Sequence, residues 1–399
     1  MTDAEPAERL LERLFRSTRG GAPRDPRRTR RLLDRLNLPD LPLVVHVVGT
    51  NGKGGVATRI DAGLNAAGFR SLRFLSPHVE RFHERIAIAG AEVTDDEIVR
   101  FLQRAWRDEP DPPAAFFELA LAMALAVAEE RGADAAVLEA GVGAARDATI
   151  AVGAVRVSVI TNVAEEHLEQ IGPTLADVTR DKAAAIRPGV PVVTGAEGEP
   201  LEIVRRLASE RASPLLSLSS GVAPFAWPAG APPSESTVAD RAGRLAIAAL
   251  RTLDLDTATE HAALLAAATP PALPARRERF ELGRGRCILL DGAHEPNAAR
   301  ALAAELPSSA ELLLGVAERK NARGVLDAFA EVHEVTLTCA VRGERPWGDH
   351  PAFIADPEAA LAHALESLPE GATLVVTGSF YLAGLLRPRI RALAGAAIR

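Results

Sequence analysis

Cysteine is almost missing from this chain of 399 residues: Cys287 and Cys339 stand far apart, without the spacing of a metal site. A disulfide framework is excluded, and a reducing compartment suits such usage. No apolar run approaches the ~20 residues that span a bilayer. The opening "MTDAEPAERLLERLFR" scatters acids where a signal peptide keeps an apolar stretch. The expectation is a cytoplasmic protein with no membrane partner. A basic balance is also lacking, since the net charge is −7, which argues against a nucleic-acid partner. One basic run, "RDPRRTRRLLDR" (Arg24–Arg35), interleaves leucines and acids and reads as the solvated face of an amphipathic helix. Lysine, tyrosine and methionine are scarce beside abundant alanine and arginine, a drift that can erase motif residues at neutral sites.

What remains is ordinary globular material, 47% hydrophobic and 25% charged, in a chain long enough for two cores. Two helices lead into a strand at 43–48, and from there short strands alternate with helical segments. Strands are expected at 70–75, 134–139, 156–161 and 190–194. Helices are expected at 56–68, 95–108, 115–131, 173–186, 237–252 and 257–268, with an irregular loop at 76–85. Such alternation predicts a mostly parallel sheet covered on both faces, with ligands bound at the strands' C-terminal edge. The proline-rich "TPPALPARRERFE" reads as a linker, giving domains at 1–268 and 282–399 joined by 269–281. The second domain repeats the α/β pattern from "CILLDGAHEP" onward, as expected of a smaller Rossmann-like unit.

The stretch "VVHVVGTNGKGGVATRI" (Val44–Ile60) carries the most chemistry. A buried strand hands over to a glycine-rich loop holding Lys53, then to a helix. The N–H groups of such a turn point at phosphate, the helix dipole favours the negative charge, and the lysine can reach the terminal phosphates. The strict phosphate-loop spacing is not met. Val47 stands where its first glycine belongs, and neither Gly54 nor Gly55 supplies the usual hydroxyl.

Further stretches follow in a fixed order: "LSPHVERFHERIAI", "AVLEAGVGAARDAT", "VITNVAEEHLEQIGPTLADVTRDKAAAIRPGVPVVTG", "PARRERFE", "ILLDGAHEPNAARAL" and "VTGSFYLAGLLR". This order resembles the folylpolyglutamate synthase/dihydrofolate synthase group of the Mur-type ATP-dependent amide ligases, from about residue 30 to residue 388. The resemblance implies a P-loop-type ATPase domain, a smaller C-terminal domain, and ATP with Mg²⁺ as cofactors. It also implies a reaction in which a folate or dihydropteroate carboxylate is activated as an acyl phosphate and joined to L-glutamate. Nothing suggests an obligate assembly, so a monomer is expected.

Carried onto this chain, the resemblance assigns the phosphate loop to Gly49, Thr50, Asn51, Gly52, Lys53 and Gly54. It assigns metal ligands to Ser76, Glu139 and His167, and Lys182 matches a lysine that becomes a ligand by carbamylation. Lys53, His167, Lys182 and Arg276 are the expected catalytic groups, while Arg276 in the linker and Asp291 and His294 in the second domain are expected to contact ATP. Several positions depart from the pattern. Gly55 replaces a serine, Ala144 and Ala184 replace glycines, Ile150 an asparagine, Glu166 an aspartate and Glu295 an asparagine. The segment "STVADRAGRLAIAAL" has neither the Gln nor the Asn expected near the nucleotide. A ligase for a different acid, or a nucleotide-binding homologue without turnover, therefore stays open beside the folate reading.

Overall fold

The structure is a computed structural model that describes residues 6–17, 23–107, 113–166, 168–221, 223–234, 236–318, 320–332 and 334–397. Its contacts divide the chain into two compact units, Met1–Pro77 with Phe82–Pro271, and Ala272–Arg399 with the short segment His78–Arg81.

In the first unit, helices α1 (Ala7–Arg16) and α2 (Pro26–Arg35) precede β1 (Leu43–Val48). Asp25 caps α2 through the amide of Arg27, with Pro26 in the first turn where its missing N–H costs nothing. Next come α3 (Lys53–Ala66), β2 (Ser71–Phe74), β3 (Ile86–Ile88), β4 (Ala91–Glu92), α4 (Asp95–Arg107), α5 (Phe116–Glu130) and β5 (Ala135–Glu139). The unit continues through β6 (Val155–Ile160), α6 (Leu168–Ile171), α7 (Leu175–Lys182), β7 (Val192–Thr194), α8 (Gly198–Glu210) and β8 (Leu215–Ser217). It closes with α9 (Thr237–Arg251) and α10 (Thr257–Ala268).

The eight strands form one sheet in the order β4-β3-β2-β5-β1-β6-β7-β8. All neighbours from β2 to β8 pair in parallel. Strands buried on both faces read as continuous apolar runs, as β1 (LVVHVV) and β5 (AAVLE) do. Helix α5 is buried on nearly every side from Glu118 to Ala128, which explains its lack of a polar face. Consecutive parallel pairing places the C-terminal ends of β2, β5, β1 and β6 side by side along one edge.

The hairpin β3–β4 falls just after the stretch read as an irregular loop. Its strands are three and two residues long, and its turn places Ala89 and Gly90 at φ 49° and 79°. With alanine in place of the usual Asn or Asp, the turn carries no local signal. The helix expected at 173–186 ends at Lys182 and passes into a 3₁₀ turn at Ala183–Ala185.

The second unit has strands β9 (Glu278–Gly283), β10 (Arg286–Leu290), β11 (Ala310–Val316), β12 (Val335–Cys339) and β13 (Thr373–Thr377). They lie in the order β12-β11-β13-β10-β9, with only β9 antiparallel. Helices α11 (Pro296–Ala303), α12 (Ala322–Asp327), α13 (Pro357–Ser367) and α14 (Phe380–Ala397) connect or follow them. β9 begins at Glu278, inside the stretch read as linker. Two apolar clusters cover the sheet, one around Leu290, Leu374 and Leu386 and one around Leu312, Val325 and Phe329.

Candidate active site

The glycine loop opens where β1 ends. Gly49 has φ 144°, and a Cβ there would lie 2.0 Å from the Thr161 hydroxyl, so only glycine fits. The loop is stitched to the end of β6. Asn51 N–H donates to Asn162 Oδ1 at 2.8 Å, and Thr161 Oγ1 donates to the Asn51 carbonyl at 2.7 Å. Thr50 N–H donates to the Asn162 carbonyl at 3.0 Å. Gly52, at φ 80°, turns the chain into α3, whose first turn holds Lys53 and the buried Gly54. A helix start of this kind leaves N–H groups that favour an anion.

Two lysines converge on the loop. Lys53 Nζ donates to the carbonyls of Gly49 (3.1 Å) and Thr50 (3.0 Å). Lys182 Nζ, from the end of α7, donates to the same Gly49 carbonyl at 3.0 Å. Lys182 is 1% exposed, so it is a buried lysine and not a surface one. Burial, and then the charge of Lys53, push its ammonium down to about 8, against the opposing pull of Glu166 and Asp181. Two cations crowded at one carbonyl repel each other, and a polyanion bound between them would relieve that repulsion.

Glu139 ends β5 opposite Val47 of β1 and is 3% exposed. Its Oε2 accepts the N–H of Ser76 at 2.8 Å, which brings two of the sequence-derived metal positions together. Among the described residues, no group of three or more His, Cys, Asp or Glu is placed to hold a metal, and His167 lies outside them. Magnesium takes oxygen ligands and fills its octahedron with phosphate and water. The buried Glu139 carboxylate at the sheet edge offers such an oxygen.

The turn after Glu139 is fixed by Asp147. Its Oδ2 accepts the N–H groups of Gly141 (3.0 Å) and Val142 (3.1 Å), and its Oδ1 accepts the Thr149 hydroxyl at 2.6 Å. Burial raises the Asp147 carboxyl, while Thr149 and these amides pull the other way. Thr149 in turn meets His46 Nε2 at 2.8 Å, and burial holds this histidine neutral, at about 3.

The second unit gathers the other three sequence-derived residues. Asp291 follows β10 and accepts the N–H groups of Arg277 (2.9 Å) and Ala293 (2.8 Å). Burial raises its carboxyl, with Arg276 the leading opposing charge. The Arg276 guanidinium lies over the ring of Phe380, 3.9 Å from its centre, and His294 meets the same ring edge-on at 5.7 Å.

Several departures from the family pattern have visible causes. A Cβ on Gly55 would meet only the Ala242 Cβ, at 3.9 Å, so the position is open rather than closed to a serine. In "GVGAA" the left-handed residue is Gly143, at φ 67°, and Ala144 needs no glycine. Glu295 is ion-paired to Lys320 at 2.5 Å, so the carboxylate replacing an amide there arrives with its own countercharge.

Sequence reasoning missed Thr161 and Asn162 just beyond β6, Asp147 in the turn that follows Glu139, and Phe380 at the start of α14. One compositional signal could have strengthened Lys182. The chain has three lysines, Lys53, Lys182 and Lys320, among 46 basic residues, and two of the three meet at Gly49. In so arginine-rich a chain, a lysine marks a place that needs a compact ammonium.

No family model matches the chain. It is 31% identical over 405 residues to a probable bifunctional folylpolyglutamate synthase/dihydropteroate synthase of Haloferax volcanii, an alignment spanning 91% of this chain and 45% of that protein. It is 28% identical over 410 residues to the folylpolyglutamate synthase of Lacticaseibacillus casei, spanning 91% of this chain and 94% of the relative. The chain thus spans under half of the first relative and nearly all of the second. A crystal structure of the bifunctional folylpolyglutamate synthase/dihydrofolate synthase of Yersinia pestis with AMPPNP and a manganese ion superposes with TM-score 0.82 at 26% identity. That superposition covers 96% of this chain and 98% of the Yersinia chain.

Proposed function

Starting from the folylpolyglutamate synthase/dihydrofolate synthase family, of which this chain is a divergent member, we propose that it is an ATP-dependent ligase joining L-glutamate to a folate or dihydropteroate carboxylate. The observation that carries the reading is the meeting of Lys53 and Lys182 at the Gly49 carbonyl, on the sheet edge where the buried Glu139 ends β5.

The substrate carboxylate attacks the γ-phosphorus of ATP, ADP departs, and an acyl phosphate forms. The amino group of glutamate then attacks the acyl carbon, expelling phosphate and releasing a proton. The loop from Gly49 to Gly54 cradles the phosphates through the amides not already given to Asn162, and Lys53 stabilises charge gathering on the transferred group. Arg276 offers a planar fork to the same phosphates. Bound Mg²⁺ would neutralise phosphate charge, with Ser76, Glu139, His167 and a carbamylated Lys182 as its protein ligands. Asp291 and His294 line the nucleotide side of the second unit.

We further infer a cytoplasmic monomer that takes small-molecule substrates only. The net charge of −7 and two buried, unpaired cysteines support this. Among the described residues no helix is long and apolar enough to cross a membrane.

Phosphate release from MgATP by the purified chain tests the reading. Release that requires both glutamate and dihydropteroate or a reduced folate is expected. Release only with a different acid would redirect the substrate assignment, and ATP binding without release would end the ligase reading.

A further inference from the structure

We propose that Phe380 is a positioning residue that holds the Arg276 guanidinium in a fixed plane, so that its N–H fork is aimed before nucleotide arrives. The proposal deepens the reading of Arg276 as a phosphate contact and rests on it.

The backbone around Arg276 is already over-determined. Ala275 and Arg277, on either side, have φ 49° and 56°, a left-handed conformation that neither residue adopts without support. The support is visible. Ala275 N–H donates to Glu278 Oε2 at 3.0 Å, and the Ala275 carbonyl accepts Gly292 N–H at 2.9 Å. Arg277 N–H donates to Asp291 Oδ2 at 2.9 Å. Asp291 thus spends one carboxylate oxygen on this turn and the other on Ala293.

A fixed backbone leaves a long, flexible side chain still to be aimed. Phe380 constrains it, with its ring centre 3.9 Å from the guanidinium carbon, while Nη1 donates to the Ala275 carbonyl at 3.5 Å. Stacking engages the face of the guanidinium, whereas its N–H donors lie in the plane, where a phosphate would accept them. The ring is itself held. A Cβ on Gly292 would lie 1.9 Å from Phe380 Cε1, and His294 meets the ring edge-on. An aliphatic residue of similar volume would fill the space without the attraction for a cation.

Phenylalanine analogues carrying one, two and three ring fluorines at position 380 test this at nearly constant shape. Binding of Mg-AMPPNP to the full chain is measured by calorimetry. Affinity is expected to fall stepwise, by roughly ten-fold at three fluorines, with Phe380→Tyr close to wild type. In an Arg276→Ala background the same series should be flat. Fluorinated proteins that bind like wild type, while Arg276→Ala weakens binding, would overturn the positioning role alone. An Arg276→Ala protein with unchanged affinity would remove the phosphate reading of Arg276 and the proposal with it. A ligand-free measurement stands beside these. The side-chain Nε–H resonance of Arg276 should carry an upfield ring-current shift that Phe380→Leu abolishes, and an unchanged resonance would contradict the stacking.

Discussion

Lys53 and Lys182 donate to one acceptor, the Gly49 carbonyl oxygen, at 3.1 and 3.0 Å. They come from helices 129 residues apart in number (182 − 53), so the sheet edge, not the local sequence, creates the pair. A buried ammonium beside a second cation is unfavourable in the empty protein. A triphosphate over the loop, or carbamylation of the Lys182 amine, would relieve the repulsion.

The first consequence is for stability. The Lys182 ammonium sits at about 8 in the folded chain against an ordinary 10.5. Between those values the unfolded chain holds a proton that the folded chain has lost, so this group's contribution to stability rises with pH across that window. Below pH 8 both states are charged and the full cost of burial is felt. Lys182→Met should therefore stabilise the protein at pH 7, by at most about 3 kcal/mol. The gain should shrink toward pH 10.5. Denaturant unfolding at the two pH values checks this, and a pH-independent difference would contradict it.

A depressed ammonium also favours carbamylation, because only the neutral amine captures carbon dioxide. With ¹³C-labelled bicarbonate near pH 8, a carbamate carbon resonance is expected from the wild type and not from Lys182→Ala. The same resonance in both proteins would assign the modification elsewhere.

Two glycines of the loop should behave oppositely. Gly49→Ala drives a Cβ to 2.0 Å from Thr161 Oγ1 at φ 144°, and it should destabilise the protein by at least ~1–3 kcal/mol and remove ATP binding. Gly55→Ser meets only Ala242, at 3.9 Å, and should leave melting temperature unchanged and activity equal or higher. Loss of activity in Gly55→Ser would show that the space has another use.

Lys53→Ala should lower the rate of phosphate release by roughly 10²–10³-fold or more, through loss of a cation that stabilises the transferred group. Its melting temperature should stay near wild type. The lysine's described bonds are to two carbonyls of its own loop, not to the core.

Much of this was legible before the fold. Strand β1 and the loop after it, the alternating pattern, and Glu139 at a strand end all follow from apolar runs that stop at glycine or a charge. The hairpin β3–β4 was not, because Ala89 adopts a left-handed turn without the residue type that advertises one. Nor was β9, since its first residues are charged and follow a proline-rich stretch that reads as linker. At the site, single residues were readable and their partnerships were not. Asn162 and Thr161 clamp the loop from a strand 110 residues on, and Asp147 acts through backbone amides of its own turn. Such contacts depend on sheet order, which no local pattern encodes.

The central claim is that the terminal phosphoryl group of ATP passes to the substrate carboxylate before glutamate is joined. Dihydropteroate or folate labelled with ¹⁸O in the reacting carboxylate tests this directly, by mass analysis of the phosphate released during turnover with glutamate. One ¹⁸O atom transferred to each phosphate is the predicted result. Phosphate whose ¹⁸O content stays at background while the amide forms would contradict it.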